Sequence, residues 1–310
     1  MSDITRCDFP ELTNQNKFGF PLKLCYKFPI LPCKIERISE LDLHNINLIG
    51  AEWDANKEML PNLTKMRFVQ CISTDSVKFE AKVQDIFIHC ADSAYCVCSK
   101  LRIEAKKVRY VLGHHCVPTF HPKLQSLFLE TDEGLPLWKI DFIINLVCAI
   151  PNLKKLILNN IHIHPIWLNR IIQACPKLVH LSVCLIACDI DAIAPILQET
   201  HQLFRRRTKL VSLHIQGQND DSSRRLVTVI TRALHLRPTP FNRLSLCNIK
   251  YDTNLIIQLC SLLQKGLYSF YMFNTTFRCY SIHRQWHLKF CDLLTKNVRR
   301  LRTENVGLSG

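Results

Sequence analysis

One spacing recurs along this chain and decides what it can fold into. An apolar residue is followed by two variable residues, a second apolar residue, one variable residue and a third apolar residue, often with a proline two places ahead. It reads Pro122-Lys123-Leu124-Gln125-Ser126-Leu127-Phe128-Leu129, then Pro151-Asn152-Leu153-Lys154-Lys155-Leu156-Ile157-Leu158, then Pro176-Lys177-Leu178-Val179-His180-Leu181-Ser182-Val183. The same frame is met at Ile38/Leu41/Leu43, Leu63/Met66/Phe68 and Val83/Ile86/Ile88, and later at Leu210/Leu213/Ile215, Phe241/Leu244/Leu246 and Leu267/Phe270/Met272. Alternating apolar residues make a short strand with one buried face. One such strand cannot bury that face alone, so the copies have to stack side by side in parallel.

Nine copies share the frame, and their middle apolar residues lie 20 to 32 residues apart except across one gap of 41 between Ile86 and Leu127. A degenerate tenth copy fills the gap. Val77-Lys78-Phe79-Glu80-Ala81-Lys82-Val83 is echoed by Leu101-Arg102-Ile103-Glu104-Ala105-Lys106-Lys107-Val108, which predicts a strand near Val108–Leu112. Helical spacing of apolar residues predicts helices over 141–149, 166–175, 192–204, 222–234 and 253–264, with Asp141, Asp191, Ser222 and Asp252 as caps. Between 71 and 122 the connections are short and irregular.

The frame resembles the leucine-rich repeat, and its helical, uneven connections are similar to the ribonuclease-inhibitor-like and F-box leucine-rich repeat branches. The resemblance covers residues 36–280. It implies an α/β leucine-rich-repeat solenoid, a right-handed superhelix with parallel strands on the concave side and helices and irregular segments on the convex side. It also implies a non-enzymatic protein–protein interaction module, a substrate-recognition subunit in the ubiquitin pathway with a ligase adaptor as one partner. No F-box is visible in residues 1–35, which read as an irregular, aromatic N-terminal cap. The family's polar ninth position is Cys71, Asp132, Gln218 and Thr275 in some copies and Ile46, Ile161, Ile186 and Ile249 in others. At the other end, 281–302 reads as a closing amphipathic helix and 303–310 as a frayed tail.

The third, fifth and seventh positions of each copy point away from the buried face and form the expected partner surface. Its candidate contacts are Arg67, Phe87, Phe128, Ile157, His180, His214, Arg243, Tyr271 and Phe273. Over the nine copies, Lys65, Arg67, Lys155 and Arg243 balance Glu40, Asp42, Asp85 and Glu130, so the net charge of +14 is expected elsewhere. It gathers at Arg205–Arg207, Arg224–Arg225 and Arg299–Arg302, read as convex helices. Those runs either solubilise a helix face or form the alternative interface, a nucleic-acid-associated one.

Other chemistry is not signalled. With 8 Gly in 310 residues there is no Gly-rich phosphate loop, and no G-x-S-x-G or H-E-x-x-H occurs, so no catalytic residue and no cofactor is expected. His89, Cys90, Cys96, Cys98, His114, His115, Cys116 and His121 crowd into 33 residues. Their spacing is not that of a zinc knuckle, so the expectation is no metal, only buried thiols and surface histidines. The 16 Cys without a secretion signal, and no apolar stretch near the ~20 residues of a membrane span, predict a reduced, membrane-free chain, cytoplasmic or nuclear. Asn62 and Asn274, in glycosylation sequons, are then expected to be unmodified.

Overall fold

The computed structural model describes Arg6–Cys7, Tyr26–Lys27 and residues 31–309, apart from 32, 50–53, 55–57, 74–75, 80–82, 91–95, 115, 121, 133 and 279–283. Most of the expected N-terminal cap therefore lies outside the described residues. The chain forms two compact units, Met1–Lys139 and Ile140–Gly310.

The first unit contains β1 (Arg6–Cys7), β2 (Tyr26–Lys27), β3 (Glu40–His44), β4 (Ile46–Leu48), β5 (Lys65–Val69), β6 (Ile72–Ser73), β7 (Val77–Phe79), β8 (Asp85–His89), β9 (Leu101–Ile103), β10 (Lys107–Leu112) and β11 (Ser126–Thr131). Strands β1, β3, β5, β8, β10 and β11 pair in that order, all parallel. Behind them, β2–β4–β6 and β7–β9 form two small sheets. The sequence echo is structural twice over: Val77 is the register partner of Leu101, and the degenerate copy is β10, with Val108 opposite Ile86 and Leu127. As expected for this stretch, no α-helix occurs between 71 and 122 among the described residues.

Helix α1 (Leu137–Cys148) starts at the end of the first unit. The second unit then alternates β12 (Lys155–Ile163), α2 (Pro165–Ala174), β13 (His180–Leu185), α3 (Ile190–Arg206), β14 (Ser212–Gln216), α4 (Asp221–His235), β15 (Arg243–Cys247), β16 (Lys250–Tyr251), α5 (Thr253–Gln264), β17 (Leu267–Arg278), α6 (Arg284–Asn297) and β18 (Val298–Ser309). Strands β12, β13, β14, β15, β17 and β18 pair in parallel. The apolar frame positions build the core: Leu127, Leu129, Leu156, Leu158, Leu213, Ile215, Leu244 and Leu246 are all 0% exposed. In each unit the repeat frame thus forms a parallel sheet.

Two expectations need correction. The caps of α3 and α4 are Asp189 and Asp220, which accept from the backbone N–H groups of Asp191 and Ser223, while Asp141 lies inside α1. Asp252 does cap α5, and α2 is capped by His164. The expected closing helix over 281–302 is α6, which stops at Asn297, and 298–309 forms strand β18 rather than a tail. Val298 and Leu301 fit a helical stripe with Phe290 and Leu294, but they also occupy frame positions opposite Leu267 and Phe270. Pairing with β17 gives the inward-facing backbone groups of this segment partners along its length, which a frayed helix end could not. As the last rung, β18 leaves Leu301 45% exposed.

Six of the strands share one corner. The chain turns at the eighth frame position, one residue before the polar position that the family pattern implies. Asn45, Gln70, Asn160, Asn248, Asn274 and Asn305 all have φ between 46° and 57°. Asparagine tolerates this left-handed region better than other side chains with a Cβ. The turned backbone N–H reaches the neighbouring rung: Asn45 donates to Val69 O, Gln70 to His89 O and Asn248 to Phe273 O, at 2.9–3.0 Å. At Gly217, the eighth position of the β14 copy, an added Cβ would meet Ser223 Cβ at 2.9 Å and the Asn248 carbonyl oxygen at 3.0 Å, so a side chain there would push on the neighbouring rung.

Candidate functional site: the outward rows of the two sheets

In-register pairing lines up equal frame positions into rows. In the first unit the third-position row is Glu40, Lys65, Asp85, Lys107, Ser126, and the fifth-position row is Asp42, Arg67, Phe87, Arg109, Phe128. Charges alternate, and each cation has an acidic neighbour. Lys65 pairs with Glu40, Lys107 with Asp85 at 2.5 Å, Arg67 with Asp42 at 3.6 Å and Arg109 with Glu130 at 2.9 Å. The fifth row is also a cation–π ladder. Arg67 lies 5.0 Å from the Phe87 ring centre, and Arg109 lies 5.4 Å from Phe87 and 4.4 Å from Phe128. Phe87 and Phe128 are half-buried, held on either side of the Arg109 guanidinium. Sequence reasoning named Arg67, Phe87 and Phe128 but missed Arg109, because its copy is the degenerate one.

The second unit differs in charge. Its third-position row is Lys155, His180, Ser212, Arg243, Ser269, Arg300, and its fifth is Ile157, Ser182, His214, Ser245, Tyr271, Arg302. Lys155, Arg243 and Arg300 form no ion pair with any described residue, and Arg302 reaches only Glu304, at 3.8 Å. Burial, with the charges of Lys155 and Arg243, holds the His180 imidazole below its usual value. His214 is lowered by burial, and its Nδ1 lies 2.7 Å from Ser245 Oγ. Tyr271 and Phe273 stack with ring centres 6.4 Å apart and planes 17° apart. Arg243 lies 5.9 Å from the Tyr271 ring and Arg302 lies 5.5 Å from Phe273.

The even charge balance read from nine copies therefore holds for the first unit alone. Adding Arg300 and Arg302 of the unrecognised last copy makes the second face basic. The basic runs read as convex helices fare differently. Arg299–Arg302 belongs to β18, and Arg224 is engaged by Asp221 and Asp252. Arg205 and Arg206 do end α3, where they complement the negative end of its dipole.

The outward positions His180, His214, Arg243, Tyr271 and Phe273 lie on one sheet face with Ile157, and Arg67, Phe87 and Phe128 lie on the other unit's face. No helix among the described residues is long and apolar enough to cross a membrane.

One further cluster joins four cysteines of the crowded 89–121 stretch. Cys90 follows β8, Cys96 and Cys98 flank the start of a short 3-10 helix (Val97–Ser99), and Cys116 follows β10. All four are buried, and their sulfurs lie within 4.8 Å of one another. The expectation of no metal rested on spacing within one segment, whereas here the cysteines come from three.

No family model and no curated protein matches the chain. Among solved structures it is similar to the one described as "Crystal structure of TLR13-ssRNA13 complex", at 12% identity and a TM-score of 0.36, over 88% of this chain and 50% of that one. The chain spans half the length of that matched chain, and a likeness at this level carries no argument about function.

Proposed function

We propose that the chain is a non-enzymatic binding module whose outward sheet rows receive a protein partner, and that the second unit's rows take an acidic segment of it. The observation that carries this reading is the contrast between the faces. Every row cation of the first unit has an internal carboxylate, while Lys155, Arg243 and Arg300 have none among the described residues, and Arg243 and Arg302 lie against the Tyr271 and Phe273 rings. Exposed cations next to rigid aromatic anchors favour a partner that brings carboxylates and apolar side chains together. In this reading each unit is a stretch of right-handed leucine-rich-repeat solenoid with its strands on the concave side. The role is that of a cytoplasmic or nuclear substrate-recognition subunit akin to the F-box leucine-rich repeat proteins.

Affinity purification of the full chain and its variants tests the reading. Arg243→Glu and Tyr271→Ala are each expected to lose the same partner, since truncating an interface anchor or reversing a charge costs about 2 kcal/mol or more, roughly a thirtyfold loss of affinity. Arg206→Glu, at the end of α3, is expected to keep it. Equal recovery from all three variants would move the interface off this face. Recovery of a ubiquitin-ligase adaptor would support the F-box-like role, and its consistent absence would leave the generic module.

A second reading is favoured by the same basic row with stacked aromatics, namely that this face binds single-stranded nucleic acid. A titration separates the two. Affinity for single-stranded RNA that falls steeply with salt and is lost in Arg243→Glu supports it, and no binding at low salt ends it.

A further inference from the structure

We propose that Cys90, Cys96, Cys98 and Cys116 bind one structural zinc ion as four thiolates. Zinc bound by four sulfurs at about 2.3 Å places the sulfurs about 3.8 Å apart at the corners of a tetrahedron. The four sulfurs here all lie within 4.8 Å of one another, so closing on an ion needs only small side-chain rotations. None of the four is in a disulfide.

Their surroundings suit an anionic metal centre. The Cys98 backbone N–H donates to the Cys96 sulfur, the kind of contact that holds a metal-bound thiolate. Lys139 is 1% exposed, and its Nζ donates to the carbonyls of Gly113 at 2.5 Å and His114 at 2.7 Å, just before Cys116. Four thiolates with Zn²⁺ carry a charge of −2, so a buried ammonium beside them offsets part of it. Binding releases the thiol protons to solvent. A cleft of about 220 Å³, lined by Cys90, His89 and His114 among others, offers the ion a way in.

The position also explains what the ion would do. In the second unit helices pack behind the strands, whereas among the described residues the connections around β8 and β10 hold β6, β7, β9 and the 3-10 turn. An ion joining the end of β8, that turn and the loop after β10 would staple the thinnest part of the stack, as metals do in small cores. Four small apolar side chains would also fill the space. They would not need to converge as thiols from three segments with a buried lysine beside them.

The test is the metal content of the full chain, purified without chelator from zinc-supplemented medium. The expected result is about one zinc per chain, falling below about a tenth in Cys96→Ser/Cys116→Ser and unchanged in Cys175→Ser. X-ray absorption of the unmodified chain keeps the proposal falsifiable if the double variant does not fold. Four sulfur scatterers at about 2.3 Å from zinc support it. Absent metal, a different metal, fewer than four sulfurs, or zinc retained by the double variant overturns it.

Discussion

Replacing Arg237 with Met is expected to unfold the second unit earlier, by about 3 kcal/mol, which for a unit of this size is roughly 6–12 °C in a thermal melt. Arg237 is 1% exposed and has no carboxylate partner among the described residues. Carbonyl dipoles solvate it instead. Its guanidinium donates to Leu210 O and Thr208 O at 2.7 Å each and to Thr239 Oγ1 at 3.1 Å, and lies 5.6 Å from the Phe241 ring. It therefore ties the turn after α4 to the turn after α3, one rung back. Methionine keeps much of the stem's volume but takes away the donor to the buried Leu210 carbonyl, and that penalty exceeds the worth of the bond itself. Lysine, with a point charge in place of a planar fork, is expected to recover only part of the loss. A melt unchanged in Arg237→Met would show that the guanidinium's bonds are matched by its burial cost.

Phe270→Ala is expected to cost about 3–5 kcal/mol, the usual range for a buried aromatic, in the same melt. Phe270 is 0% exposed, and its ring meets Phe290 of α6 edge-on with centres 6.2 Å apart. Phe277 contacts Phe290 as well, at 6.2 Å. These rings seat α6 against β17, so hydrogen exchange in the variant should rise first across 284–297. Uniform exchange across the unit, with α6 as protected as before, would mean that the helix docks by other contacts.

The part of the fold carried by the repeat frame was legible because its physics is local. Leu153, Leu156 and Leu158 announce a strand and its buried face without reference to any other residue. Whatever depended on departures from the frame was harder to read. Thr303 stands where the last copy needs a third apolar residue, so β18 passed for the end of a helix and Arg300 and Arg302 left the count of outward charges. In the degenerate copy, Ala105 stands at the first apolar position and Tyr110 at the third, and Arg109 went with it. The corner asparagines carry no apolar signal, so the frame does not mark them. The four thiols stood out as a crowded stretch, but their meeting depends on how three connections fold, which no spacing within one of them encodes.

The claim beneath all of this is that the rungs stack parallel and in register, which alone creates the rows. Native Cys247 tests it directly. Gln216 is its register partner in β14, with Cys184 on the other side, whereas Ser212 faces Arg243 at the far end of the strand. On mild oxidation, Gln216→Cys should form a disulfide with Cys247 or Cys184, identified by peptide mass, and Ser212→Cys should form none with Cys247. An antiparallel pair would bring position 212 to Cys247 instead, and a disulfide between those two would contradict the stacked, parallel array.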